Sequence, residues 1–290
     1  MSESKEIYAV SLIHILEGKH DHPEAKLNSL VSLASENKVL LQLLRSLGVQ
    51  SPLRDAQERA QGRVVHVVDL VSRALRGYDY AFFKLLKPMS YVPADIDLLI
   101  RSKEITVVSK KVVHLGYKVV VNEPHCITLA RGTSIVDLYT HPTFGGIIYL
   151  DGQVLLEHVR SSEFNGIGIT TLESYAEALV TATHAVYKEL IYTLNDYFTV
   201  NRWASRKSFE LAEELNCKPA LAFAVNLNQM IGEGLLGAPY KLPLAEWVKL
   251  MLRKLRSDPL ARRTSVNMLK TMKDPRIGKL MLSRLSRRTY

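Results

Sequence analysis

The run Pro93-Ala94-Asp95-Ile96-Asp97-Leu98-Leu99-Ile100 sets two acids one residue apart in a β-prone stretch. On a strand, side chains alternate, so Asp95 and Asp97 share one face, about 7 Å apart, and Ile96, Leu98 and Ile100 share the other. Carboxylates that close repel each other, and a divalent cation is the usual resolution. Ser134-Ile135-Val136-Asp137-Leu138-Tyr139 repeats the pattern with one acid, Val136 and Leu138 facing one way and Asp137 the other. If the two runs are neighbouring strands, three oxygen donors converge on one patch. Such an all-carboxylate set suits Mg²⁺ or Mn²⁺ better than zinc. Taken alone, Asp-x-Asp more often marks a solvated strand face or a turn. The third acid and the apolar opposite faces are what favour a metal site.

Hard cations on carboxylates neutralise and orient phosphates, which points to a nucleoside triphosphate as substrate. Asp95, Asp97 and Asp137 resemble the fingerprint of the DNA polymerase beta-like nucleotidyltransferase superfamily, including its uncharacterised prokaryotic and archaeal members. The resemblance covers residues 78–139. It implies two metal ions on Asp95 and Asp97, with Asp137 completing the site and activating an acceptor hydroxyl. It also implies transfer of a nucleoside monophosphate with release of pyrophosphate. In that superfamily a Gly-Ser or Gly-Gly pair opens a phosphate-cradling helix before the acids, whereas this chain has no glycine between Gly77 and Asp95. The phosphate grip therefore falls to Lys84, Lys87 and the Ser90 hydroxyl, with Tyr91 placed for a base or ribose. The lysines also read as solvated edge charges, and Tyr91 as packing on Pro88. The missing glycine pair keeps a second function in view: a catalytically inactive nucleotidyltransferase-fold protein acting as a nucleic-acid-binding or assembly module.

Charge supports a polyanionic partner. The chain is +9 overall, yet residues 253–290 hold twelve Lys or Arg against Asp258 and Asp274, so the rest is close to neutral. Arg253, Lys254, Arg256, Arg262, Arg263, Lys270, Arg284, Arg287 and Arg288 are the expected contacts to nucleic acid, through the phosphate backbone of structured RNA or duplex DNA. Exposed helices also carry such charge for solubility alone.

These residues need a scaffold, and 290 residues with 47% hydrophobic content can bury a core, which excludes disorder as the main state. The expected fold class is α+β: a small mixed sheet with helices packed on one face, flanked by helical N- and C-terminal regions. Apolar spacing predicts a helical region over 1–77, with helices near 27–34, 39–47 and 53–75. A nucleotidyltransferase-like core follows over 78–150, with strands near 79–86, 95–100, 117–122, 125–131 and 134–140 and a helix over about 103–115. A helical region over 151–240 and a basic helical region over 241–290 complete the chain. Leu172 to Val200 reads as one long helix or a broken pair.

The remaining signals are weaker. His20, Asp21 and His22 read as a solvated turn, and His184 as a buried or half-buried packing residue. Cys126 and Cys217 read as small core residues, and Gly145-Gly146 as a turn. Two cysteines, no membrane-length apolar run and a charged start lead to the expectation of a cytoplasmic protein with no membrane partner.

Overall fold

The computed structural model of the chain describes residues 3–19 and 27–268. Four helices come first: α1 (Glu3–Leu16), α2 (Leu27–Glu36), α3 (Leu40–Ser46) and α4 (Pro52–Ala74). The last begins where its sequence says it should. Ser51 caps it by accepting from the Arg54 amide, and Pro52 occupies the first turn, where a missing N–H costs nothing.

The sheet follows: β1 (Tyr80–Phe83), β2 (Ile96–Ile100), helix α5 (Ile105–His114), then the meander β3 (Lys118–Glu123), β4 (Cys126–Arg131) and β5 (Ser134–Tyr139). Two short strands, β6 (Thr143–Phe144) and β7 (Ile147–Ile148), form a hairpin. Its central residues Gly145 and Gly146 have φ of 56° and 80°, the left-handed pair that a tight two-residue turn requires. After the single turn α6 (Gly152–Leu155) comes a second hairpin, β8 (Val159–Phe164) and β9 (Ile167–Leu172). The order across the sheet is β3-β4-β5-β2-β1-β9-β8, seven strands, with β2 parallel to β5 and β1 parallel to β9.

Helices α7 (Ser174–His184), α8 (Leu194–Trp203), α9 (Arg206–Glu214), α10 (Lys218–Gly232), α11 (Leu244–Ser257) and α12 (Pro259–Thr264) complete the described chain, and the small pair β10 (Ile191–Tyr192) and β11 (Tyr240–Lys241) joins two of their connections. Leu172 to Val200 is thus a broken pair. Between its halves, residues 185–189 form one wide π-turn closed by left-handed Leu190.

Two expectations are corrected. The region 151–240 contains β8 and β9, so the sheet extends to Leu172. Both faces of the sheet are covered, not one. Ile96, Leu98 and Ile100 pack with Val67, Val68 and Val71 of α4 and Val108 and Val112 of α5. Leu99, Phe83 and Tyr139, on the face that carries the acids, pack into the larger core with α7, α8, α10 and α11. A central strand buried along its whole length needs apolar cover on both sides, and Leu99 supplies it beside Asp97. Among the described residues no helix is long and apolar enough to cross a membrane.

Candidate metal centre

The parallel register of β2 and β5 sets Asp97 directly opposite Asp137, and Asp95 lies in the bend just before β2. One carboxylate oxygen from each of the three lies within 4.8 Å of the others. Asp97 is 4% exposed and Asp137 8%, while Asp95 is half-buried. The alternation read from the sequence therefore holds, and the acids converge at one end of a cavity of about 640 Å³.

Burial raises the carboxyl of Asp97; Lys84 pulls it back, Asp95 and Asp137 push it up again, and the outcome is about 7. Asp137 also rises, mainly through burial, with a hydrogen bond from Thr128 opposing. Tyr139 donates to Asp137 Oδ2 at 3.3 Å. Asp97 Oδ1 and Asp137 Oδ1 are buried with no hydrogen-bond partner. Two orphaned acceptors beside a third carboxylate are costly unless something positive sits among them. The residues fit a hard divalent ion, with Asp95, Asp97 and Asp137 as its holders.

Residues 84–95 form a turn-rich loop with no helix, as the short span between Lys87 and Asp95 requires. Its cations are committed inside the protein. Lys84 Nζ lies 2.7 Å from Asp97 Oδ2, and Lys87 Nζ 2.9 Å from Glu177 Oε1. Burial works against the Lys84 ammonium, but the carboxylates of Asp97 and Asp95 together outweigh it and hold the proton on. Neither lysine is a solvated edge charge, and Lys87, only 5% exposed, is matched by Glu177 rather than offered to a phosphate. Ser90 is also spoken for: its hydroxyl accepts from Arg45 and its amide donates to Gln42. Tyr91 lines the cavity and donates its hydroxyl to the Lys84 carbonyl. The loop is thus fixed from α3 on one side and α7 on the other.

The opposite wall was not anticipated. Glu177, Thr181, His184 and Lys188 recur at intervals of four, three and four, one stripe along α7 and the π-turn. Glu177 accepts from the Lys84 amide and from Lys87, and Thr181 Oγ1 accepts from Lys87. His184 Nε2 lies 3.4 Å from Lys84 Nζ and 3.2 Å from Glu189 Oε1; burial and Lys84 hold its ring well below the usual histidine range. His184 is half-buried as expected, but it lines the cavity rather than packing in the core. Lys188 donates to the Tyr139 hydroxyl at 3.0 Å and stands over its ring, lining the same cavity as the acids. The signal was present in the sequence as a polar stripe on an otherwise apolar helix.

Of the basic residues, Arg253, Arg256, Arg262 and Arg263 are exposed on α11 and α12. Lys254 is not: its side chain is fully buried, with Nζ 2.6 Å from Asp258 Oδ2 and 2.6 Å from the Leu215 carbonyl. That lysine is withdrawn from the nucleic-acid set because its charge is consumed between the end of α9, α11 and the start of α12. Lys270, Arg284, Arg287 and Arg288 lie outside the described residues, as do His20, Asp21 and His22. Cys126 and Cys217 are buried and unbridged, and burial pushes both thiols up, Cys217 to about 12, so neither is a ready nucleophile.

Set against known proteins, the chain matches no family model and no curated protein sequence.

Proposed function

We propose that this chain is a metal-dependent nucleotidyltransferase, moving a nucleoside monophosphate from an NTP to an acceptor hydroxyl, with nucleic acid as the favoured acceptor. The observation that carries the reading is the pair of partnerless buried oxygens on Asp97 and Asp137, two acids that cluster with Asp95 in the lining of a cavity that Lys188 also lines. Mg²⁺ or Mn²⁺ held by Asp95, Asp97 and Asp137 would neutralise phosphate oxygens and lower the barrier to in-line displacement.

The chain's own residues divide the remaining work. Lys188, which lines the cavity with the acids, takes the phosphate-gripping role first assigned to Lys84 and Lys87. Asp137, its proton affinity raised by burial, accepts the proton of the acceptor hydroxyl as that oxygen bonds to the α-phosphorus and pyrophosphate leaves. Tyr139 fixes the Asp137 carboxylate by hydrogen bonding to its other oxygen. The exposed arginines of α11 and α12 supply backbone contacts to a nucleic-acid acceptor.

The test is incubation of the full chain with each α-labelled NTP, Mg²⁺ or Mn²⁺, and bulk RNA or DNA. Label passes from at least one NTP in the wild type, and Asp97→Asn reduces it by about 100-fold or more. A wild type that holds nucleic acid yet transfers nothing supports the binding-module reading, which the absent glycine pair favours.

A further inference from the structure

The two oxygens of Asp97 are not equivalent. Oδ2 is held by the Lys84 ammonium at 2.7 Å, while Oδ1 is buried without a partner. Asp137 is divided likewise, with Oδ2 toward Tyr139 and Oδ1 unpartnered. Two ions on three carboxylates, spaced ~4 Å apart, need oxygens to share between them, and each hard cation seeks about six oxygen ligands. An ammonium on the central acid removes one of those oxygens.

Lys84 is also anchored too firmly to step aside. Its backbone sits at φ 57°, in the left-handed region, where a residue without glycine's freedom persists only if its surroundings hold it. Those surroundings are visible: both Glu177 oxygens accept from its amide, and Tyr91 donates to its carbonyl. Its side chain is 16% exposed. Charge points the same way. Asp95, Asp97, Asp137 and the neighbouring Glu189 set against the ammoniums of Lys84 and Lys188 leave two negative charges in the cavity lining near the acids, which a single divalent ion neutralises; a second ion would place excess positive charge in a buried cleft.

We propose that Lys84 is a resident cation of this centre, taking the place of one ion of a pair, so that the cluster binds one divalent cation per chain. The proposal rests on the metal reading of the site and departs from the two-ion arrangement that the sequence resemblance implies.

Mn²⁺ titration of the full chain, followed by electron paramagnetic resonance with and without a non-hydrolysable ATP analogue, tests it. The wild type shows one bound ion per chain with the spectrum of an isolated Mn²⁺ in both conditions. Lys84→Met raises the count to two and brings the broadened, spin-coupled spectrum of neighbouring ions, while Lys84→Arg stays at one. A coupled pair in the wild type overturns the proposal and leaves the metal site standing, as does a count of one in folded Lys84→Met. No Mn²⁺ bound to the wild type overturns the metal reading itself, and the proposal with it. Should Lys84→Met fail to fold by circular dichroism, the wild-type and Lys84→Arg counts decide.

Discussion

Asp97 carries opposing demands, because its carboxyl is buried beside two others and yet is the one that an ammonium touches. Its ordinary value of 3.8 becomes about 7 in the folded chain. Between those values the folded state holds a proton that the unfolded state has released. The Asp97 carboxyl therefore withdraws its share of the metal-free protein's stability as pH rises from about 4 to about 7, while His184, held well below its ordinary value, works the opposite way over the lower part of that window. A urea-unfolding series from pH 4.5 to 8 checks the sign as the difference between the wild type and Asp97→Asn, which lacks the titrating carboxyl. The same proton competes with metal: apparent Mn²⁺ affinity falls about tenfold for each pH unit below 7 and levels off above 8, with about one proton released on binding. Calorimetry in two buffers of different ionisation enthalpy measures that proton directly.

At the scale of elements, the loop between β1 and β2 is pinned by buried polar contacts from α3 and α7. Glu177, 2% exposed on α7, gathers the Lys84 amide and the Lys87 ammonium, so one buried carboxylate sets the loop's course. Glu177→Gln leaves Lys87 buried and unmatched and costs about 3 kcal/mol in chemical denaturation. Gly152, opening α6, is a second such point: a Cβ there would overlap the Thr140 carbonyl and press on Leu99 of β2. Gly152→Ala costs about 2 kcal/mol in the same assay, since the obstruction is backbone and cannot rotate away.

What could be read in advance follows from the range of the forces involved. Asp97 of β2 and Asp137 of β5 were legible because strand alternation is local, and so was α4, expected near 53–75 and observed over Pro52–Ala74. The β8–β9 hairpin was missed, its region being taken as helical. Its Asn165-Gly166 turn, with φ of 47° and 84°, is a strong local signal, but the polar run Arg160-Ser161-Ser162-Glu163 hid the edge strand beside it. The partners of Lys84, Lys87 and Lys254 were not legible. Apart from Asp258, only four positions on from Lys254, they are residues brought close by the fold: Glu177 lies ninety positions from Lys87, and the Leu215 carbonyl thirty-nine from Lys254.

Across the whole molecule, the basic end divides into two kinds of charge that composition cannot tell apart. Lys254→Met, which strands Asp258 at the start of α12, costs about 3–5 kcal/mol of stability and leaves nucleic-acid binding of the folded fraction unchanged. Arg262→Ala with Arg263→Ala does the reverse: stability holds, and the slope of log affinity against log salt becomes shallower by about 2 in a filter-binding or fluorescence titration. The segment that bears these arginines is also woven into the cavity mouth. Thr264 Oγ1 accepts from the Ile148 amide, Asn267 reaches the Gly146 carbonyl, and Trp247 meets Phe144 edge to face at 5.5 Å. Scissors are therefore the wrong tool here. A chain cut before Pro259 would forfeit a brace of the cavity along with the exposed arginines, and any binding or activity it lost would say nothing about which of the two had mattered.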